Sequence, residues 1–121
     1  MRTARQQLGQ RSERLAMQQL RSEGYRIDQV NVRFPVGEID LIAWEGETLC
    51  FVEVRSTTSD DWGGPLASIT GKKRHRLVQA ARWYLQRLPT MPRYMRFDVV
   101  AIQWCEGAPS VQLIRDAFDA S

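Results

Sequence analysis

Between Gly37 and Arg55 the chain reads GEIDLIAWEGETLCFVEVR, two apolar runs, IDLIAW and LCFVEV, joined by the turn-prone Glu45-Gly46-Glu47. Both runs are rich in Ile, Leu, Val and aromatics and too short for typical helices, so the stretch predicts a β-hairpin. Each run carries one acid in its interior, Asp40 and Glu53. Whether Gly46-Glu47 forms a two-residue turn or residues 45 to 48 a four-residue loop, Asp40 falls opposite Glu53 across the ladder. Directly opposed side chains share a face, and like charges so placed are destabilising. Burying an unpaired carboxylate is costly enough to force it to take up a proton. A divalent cation removes both penalties, and Arg55, two residues past Glu53 and on its face, sets a fixed positive charge beside the pair. The structural alternative places one acid at a strand end or pairs it with a basic side chain.

A chain of 121 residues is expected to form one domain, residues 1–121, around a single core. Its 43% hydrophobic and 26% charged content is that of a globular chain. No run approaches the ~20 apolar residues of a membrane span, so no membrane partner is expected. The N-terminal MRTARQQLGQ lacks the apolar segment of a secretion signal, and the expected location is cytoplasmic. Cys50 and Cys105 each lie in or at the end of an apolar run, and neither has a CxxC mate. Both are expected as buried thiols in a reducing compartment rather than as zinc ligands or a disulfide. A net charge of +3, from 17 basic residues unevenly placed, permits an anionic partner without requiring one.

Residues 4 to 23 place Leu8, Leu15, Ala16 and Leu20 at helical spacing and predict an amphipathic helix ending at Gly24. Glu13 sets a carboxylate on or beside the face that should meet the core; the bland reading leaves its head in water at the rim. RIDQVNVRF predicts a less buried strand leading through Pro35 into the hairpin. STTSDDWGGP, residues 56 to 65, is a loop of turn formers, either a flap over substrate or a surface linker. Ser68 or Thr70 can cap a second helix running to about Leu88, with an apolar stripe of Leu77, Ala80, Ala81, Tyr84, Leu85 and Leu88. Its first turns carry KKRHR, which opposes the helix macrodipole and wants an anionic counterpart; Lys73 falls on the inner side. His75, the only histidine, is flanked by basic residues and reads as surface. RFDVVAIQW predicts a strand with Asp98 near its start, either a further metal ligand or an ion pair with Arg96 or Arg93. VQLIR predicts a short last strand before a polar tail, DAFDAS.

With this order, α-β-β-β-α-β-β, the motifs GEIDLI, FVEVR, GGPLASIT with its following lysine, and RFDVVAI resemble the bacterial YraN family, within the PD-(D/E)XK nuclease-like superfamily and akin to archaeal Holliday junction resolvases. The likeness runs from about Gly9 to Asp116. It implies an α/β, restriction-endonuclease-like fold with a central mixed sheet flanked by helices. It also implies that Asp40 and Glu53 are metal ligands with catalytic roles, that the Val54 carbonyl is an additional ligand, and that Glu13 matches the acid of the first helix. Lys73 matches the helix lysine that in some members replaces a displaced strand lysine. Two positions depart from the pattern: Ile39 precedes Asp40 where proline is usual, and Arg55 stands where lysine is usual. Arginine stabilises anionic charge but cannot readily shuttle a proton.

The function expected from these residues is metal-dependent hydrolysis of phosphodiester bonds in DNA, including branched forms. Mg²⁺ or Mn²⁺ would be held by Asp40, Glu53 and Glu13, with Arg55 and Lys73 acting on the transition state. Arg74, Arg76, Arg82, Arg93 and Arg96 would track phosphates, and Trp62 could stack on an unpaired base. The alternatives are a nucleic-acid-binding module that keeps the nuclease fold without turnover, and a protein-interaction domain whose acids pair with Arg55 and Lys73. Related resolvases act as symmetric dimers, which leaves a homodimer open; no stretch of the sequence marks a dimer face.

Overall fold

The computed structural model describes residues 1–58 and 63–120. Helix α1 spans Ala4–Ser22 and is followed by strands β1 (Arg26–Phe34), β2 (Gly37–Glu45) and β3 (Thr48–Thr57). Helix α2 (Gly71–Leu85) then leads to β4 (Tyr94–Gln103) and β5 (Ser110–Phe118). The strands form one sheet in the order β1-β2-β3-β4-β5. All neighbouring pairs are antiparallel except β3 and β4, whose parallel pairing requires a crossover, and α2 lies within it.

Local chemistry explains the boundaries of the first helix. Thr3 and Gln6 form a reciprocal capping box at its start, which satisfies two orphan N–H groups. At its end Gly24 takes a φ of +94°, while Tyr25 N–H donates to the Leu20 carbonyl at 2.9 Å and Gly24 N–H to that of Arg21 at 3.1 Å. This double bond around a left-handed glycine is a Schellman stop, completed by Leu20 and Tyr25 packing in one core cluster. In the hairpin, Glu45 pairs with Thr48 and Gly46 has φ +60°, so the turn is the two-residue one with glycine first.

The strand alternation sorts the core into two layers. Ala16 and Leu20 of α1 pack with Leu41, Ala43, Cys50, Val52, Val100 and Ile102. Leu77, Val78, Ala81 and Tyr84 of α2 pack with Ile42, Leu49, Phe51 and Phe97. Since successive strand residues point to opposite faces, the helices cover opposite sides of the sheet. This is a mixed sheet flanked by helices in the expected order. Among the described residues, no helix is long and apolar enough to cross a membrane.

Several expectations need correction. Helix α2 ends at Leu85 instead of about Leu88, whereas its cap is one of the two expected, Thr70, which accepts the Lys73 N–H at 3.2 Å. The last strand runs through Phe118, which stacks on Phe97 at 4.9 Å between centroids, so half of the expected polar tail is strand. Cys50 is buried and free, but Cys105 is exposed, because β4 ends at Gln103, before it. Trp62 lies outside the described residues.

Candidate functional site

Asp40 sits where β2 and β3 part. The ladder between these strands runs from Glu45↔Thr48 to Leu41↔Val52, a register whose next rung would set Asp40 opposite Glu53. Instead, Val54 N–H donates to Asp40 Oδ2 at 2.8 Å. The alternation of β2 also breaks here: Ile39 packs with the α2 cluster and Leu41, two residues on, with the α1 cluster. On the other side of Asp40, between the rungs Val30↔Leu41 and Val32↔Ile39, Asn31 of β1 has φ +53°. The two acids therefore meet in a fork between strands, not on a regular rung.

Glu53 is half-buried at this fork. Its carboxyl is pushed up to about 9, first by burial, then by a hydrogen bond with Asp40 and by that residue's negative charge; Arg55 and Lys73 pull the other way. The neighbouring Asp40 charge disfavours a second ionised carboxyl, so Glu53 keeps its proton through neutral pH. Arg55 is half-buried and held in place, its Nε donating to Ser68 Oγ at 3.1 Å, while Ser68 donates to the Pro65 carbonyl at 3.0 Å. Lys73 is half-buried in the first turn of α2, which contains no acid. The positive helix terminus, Lys73 and Arg55 thus set an electropositive wall against the acid pair.

Glu13 approaches from α1. It shares with Asp40, Val54 and Ser56 the lining of an open cavity of about 390 Å³. Asn31 Nδ2 donates to Glu13 Oε1 at 3.0 Å, and the Glu13 carboxyl is raised, chiefly by burial, with smaller contributions from Asp40 and Glu38. Among the described residues, no three His, Cys, Asp or Glu side chains converge closely enough to hold an ion. Among these acids, the charge of Asp40 acts on both the Glu13 and the Glu53 carboxyls. As a donor set, neighbouring carboxyls suit a hard divalent cation, since Mg²⁺ often takes one or two carboxylates and completes its shell with water and phosphate.

The basic residues divide. Arg74, Arg76 and Arg82 are exposed on α2. Arg96 is not a phosphate contact: it donates to Glu45 Oε1 at 2.7 Å and to both oxygens of fully buried Asp98, at 2.8 and 3.0 Å. Asp98 also accepts the Tyr25 hydroxyl at 2.7 Å and the Asp116 N–H at 2.9 Å, so this acid is a structural ion pair with Arg96. Arg93 lies 3.7 Å from Glu47, beside the hairpin turn. The rung Thr48↔Tyr94, one residue on, puts it beyond the far end of β3 from Glu53, about 20 Å away at ~3.3 Å per residue. His75 is exposed, as expected.

Asn31 and Ser12 were not legible as site residues. An Asn inside a strand pattern is the available signal for Asn31, since Asn is depleted in strands and tolerates positive φ. Ser12 is fully buried in the helix stripe because its Oγ accepts the Trp104 Nε1–H at 3.0 Å, and nothing in the spacing announces that partner.

Fold and site together define the class: an α-β-β-β-α-β-β protein with a mixed five-stranded sheet, forked beside Asp40 and the raised carboxyl of Glu53 and facing a basic helix terminus. The model of the uncharacterised protein family UPF0102 matches residues 12–102. The chain is 45% identical to a UPF0102 protein of Desulfosudis oleivorans, over 97% of this chain and 94% of that one. A UPF0102 protein of Ectopseudomonas mendocina is 45% identical, over 93% and 95% of the two chains, and one of Moorella thermoacetica 41%, over 98% and 100%. The chain belongs to the UPF0102 family, the YraN family that its motifs resemble.

Proposed function

We propose that this protein is a metal-dependent endonuclease-like hydrolase of DNA phosphodiester bonds, acting on branched or otherwise structured DNA, on a restriction-endonuclease-like fold. The observation that carries the reading is the strand fork that sets Asp40 beside the Glu53 carboxyl and its retained proton, with the cationic Arg55 and Lys73 acting on the same carboxyl. A purely structural sheet would avoid placing two acids there. Asp40 and Glu53 would hold Mg²⁺ or Mn²⁺ in place of that proton, with the Val54 carbonyl beside them and Glu13 acting through water. When bound, the ion would neutralise the scissile phosphate and lower the pKa of a coordinated water.

The protein's own side chains supply the rest. Val54 N–H fixes the Asp40 carboxylate, so the ligand is oriented before substrate arrives. Arg55, steadied by Ser68, and Lys73 offer donors to the extra negative charge that develops on the phosphoryl oxygens. Arg74, Arg76 and Arg82 extend a basic surface along α2 for backbone phosphates, giving affinity that falls with salt. Arg55 also favours one second reading, a nucleic-acid-binding module without turnover, because guanidinium cannot donate a proton at neutral pH.

A cleavage assay with Mn²⁺ or Mg²⁺ on duplex, flap and four-way DNA separates the two. The nuclease reading expects products from the wild type and none from Glu53→Ala; equal cleavage by both proteins removes it. Binding without cleavage, undiminished by Asp40→Ala and Glu53→Ala, selects the module.

A further inference from the structure

Beside the acid cavity, α1 and the end of β4 form a second surface. Arg11 lays its guanidinium over the Trp104 ring, 4.6 Å from the centroid. The ring is fixed in turn, because its Nε1–H donates to buried Ser12 Oγ at 3.0 Å. Ser12 also lines the cavity that holds Glu13 and Asp40. One residue therefore joins the indole to the candidate site. Around the stacked pair lies a shallow depression lined by Arg11, Arg14, Leu15, Gln18, Trp104 and Pro109.

Among the described residues, the two arginines of this face form no ion pair. Helix α1 carries Arg5, Arg11, Arg14 and Arg21 against a single acid, Glu13, and its first turn has none. Ion pairs among the described residues engage Arg33, Arg93, Arg96 and Arg115, but neither Arg11 nor Arg14. Arg11 and Arg14 lie three residues apart on one helix face, a spacing at which like charges repel, and a phosphate between them relieves that repulsion.

We propose that Arg11, Arg14 and Trp104 bind an unpaired nucleotide of single-stranded DNA where it leaves the acid cavity. The Arg11–Trp104 stack is a flat cationic platform for a base, and Arg14 is the donor for the adjoining phosphate. Bases stack on aromatic rings and guanidinium planes without regard to sequence, which suits a structure-selective rather than a sequence-selective partner. The inference deepens the nuclease reading and rests on it for what occupies the acid cavity. It gives that reading a substrate feature: a single-stranded arm next to the scissile phosphate.

The test is binding of fluorescein-labelled (dT)12, and of a 12-base-pair duplex, by the full chain in EDTA, followed by anisotropy. Arg11→Gln/Arg14→Gln is expected to weaken (dT)12 binding about tenfold, Trp104→Ala similarly, and Trp104→Phe little. Arg21→Gln/Arg26→Gln removes the same charge from exposed positions outside this surface and is expected to change binding less than twofold. Because Trp104→Ala and Trp104→Phe both leave buried Ser12 without its donor, the arginine pair decides if either variant fails to fold. Equal weakening by both arginine pairs, or none by either, overturns the inference, as does tighter binding of duplex than of (dT)12. Cleavage of branched DNA alongside wild-type (dT)12 binding by Arg11→Gln/Arg14→Gln overturns it too and leaves the nuclease reading standing. The expected binding pattern without cleavage of any substrate supports the surface and removes the nuclease.

Discussion

Val54 donates its backbone N–H to the side chain of Asp40 at 2.8 Å, so a carboxylate does the work that a neighbouring carbonyl does elsewhere in the sheet. The consequence is geometric. With its ladder ended at Leu41↔Val52, β2 turns away from β3 and opens the fork in which Glu53 meets Asp40. Satisfying a backbone donor this way costs little, whereas leaving it unpaired costs roughly 1–3 kcal/mol.

Asp40→Asn separates charge from shape, since the amide oxygen still accepts the Val54 N–H. Burial is the leading cause of the raised Glu53 carboxyl and Asp40 contributes next. The variant should therefore lower the Glu53 midpoint clearly without returning it to the ordinary 4.5. Carbon-detected NMR titration of the Glu53 carboxyl measures this, and a midpoint identical to the wild type would contradict the influence of Asp40 on Glu53.

Stability should fall as pH rises through this range. Glu53 titrates near 4.5 when unfolded and at about 9 when folded, so between those values the native state holds more protons than the unfolded chain. Its contribution is complete below about 4.5 and is lost as pH climbs toward 9. Glu13, also raised, has the same sign. Glu45 has the opposite one: the hydrogen bond from Arg115 lowers its carboxyl, so its contribution disappears as pH drops below about 4.5. Melting temperatures measured in EDTA from pH 5 to 9 should decline, and Glu53→Gln should flatten the decline. A parallel slope in that variant rules Glu53 out as its source.

The hairpin and its register were readable because the two turns expected at Gly46, a two-residue turn or a loop over residues 45 to 48, both set Asp40 against Glu53. What the pattern could not reveal was that the strands separate there, since the fork depends on a side chain replacing a backbone acceptor and on Asn31 adopting a positive φ. Lys73 was readable from helical spacing and a capping threonine. Arg96 was legible only in part: its ion pair with Asp98, two residues on, was one of the expected alternatives, but the burial of that acid and the second partner, Glu45 at the hairpin turn, depend on contacts the spacing does not show. Phe118 was hidden for a similar reason, as DAFDAS looks polar until Phe97 offers a ring to stack on.

If Mg²⁺ replaces the Glu53 proton, metal should stabilise the fold most where that proton is weakly held. Ion at about a hundred times its Kd adds about 2.7 kcal/mol, on the order of 10 °C in Tm for a chain of this size. The gain expected at pH 8 should shrink at pH 5.5, where protons compete for the same oxygens. Glu53→Gln should abolish it. Differential scanning fluorimetry with Mg²⁺ against EDTA decides the matter, and a gain that survives Glu53→Gln puts the ion elsewhere.

Asp98 bears on stability rather than chemistry. Its carboxylate is fully buried and accepts from Tyr25, the Asp116 backbone and, at two atoms, Arg96, joining β4 to β5 and to the end of α1. Removing one partner of a buried ion pair leaves the other uncompensated, so Asp98→Ala should cost about 3–5 kcal/mol in urea denaturation. The ion pair lies near the hairpin-turn end of β3, where Arg96 is level with Cys50, about 10 Å along the strand from Glu53 at ~3.3 Å per residue. In the fraction that stays folded at low temperature, the Glu53 midpoint should match the wild type. Loss of stability with an altered Glu53 titration would instead mean that the two ends of the sheet are coupled through β3.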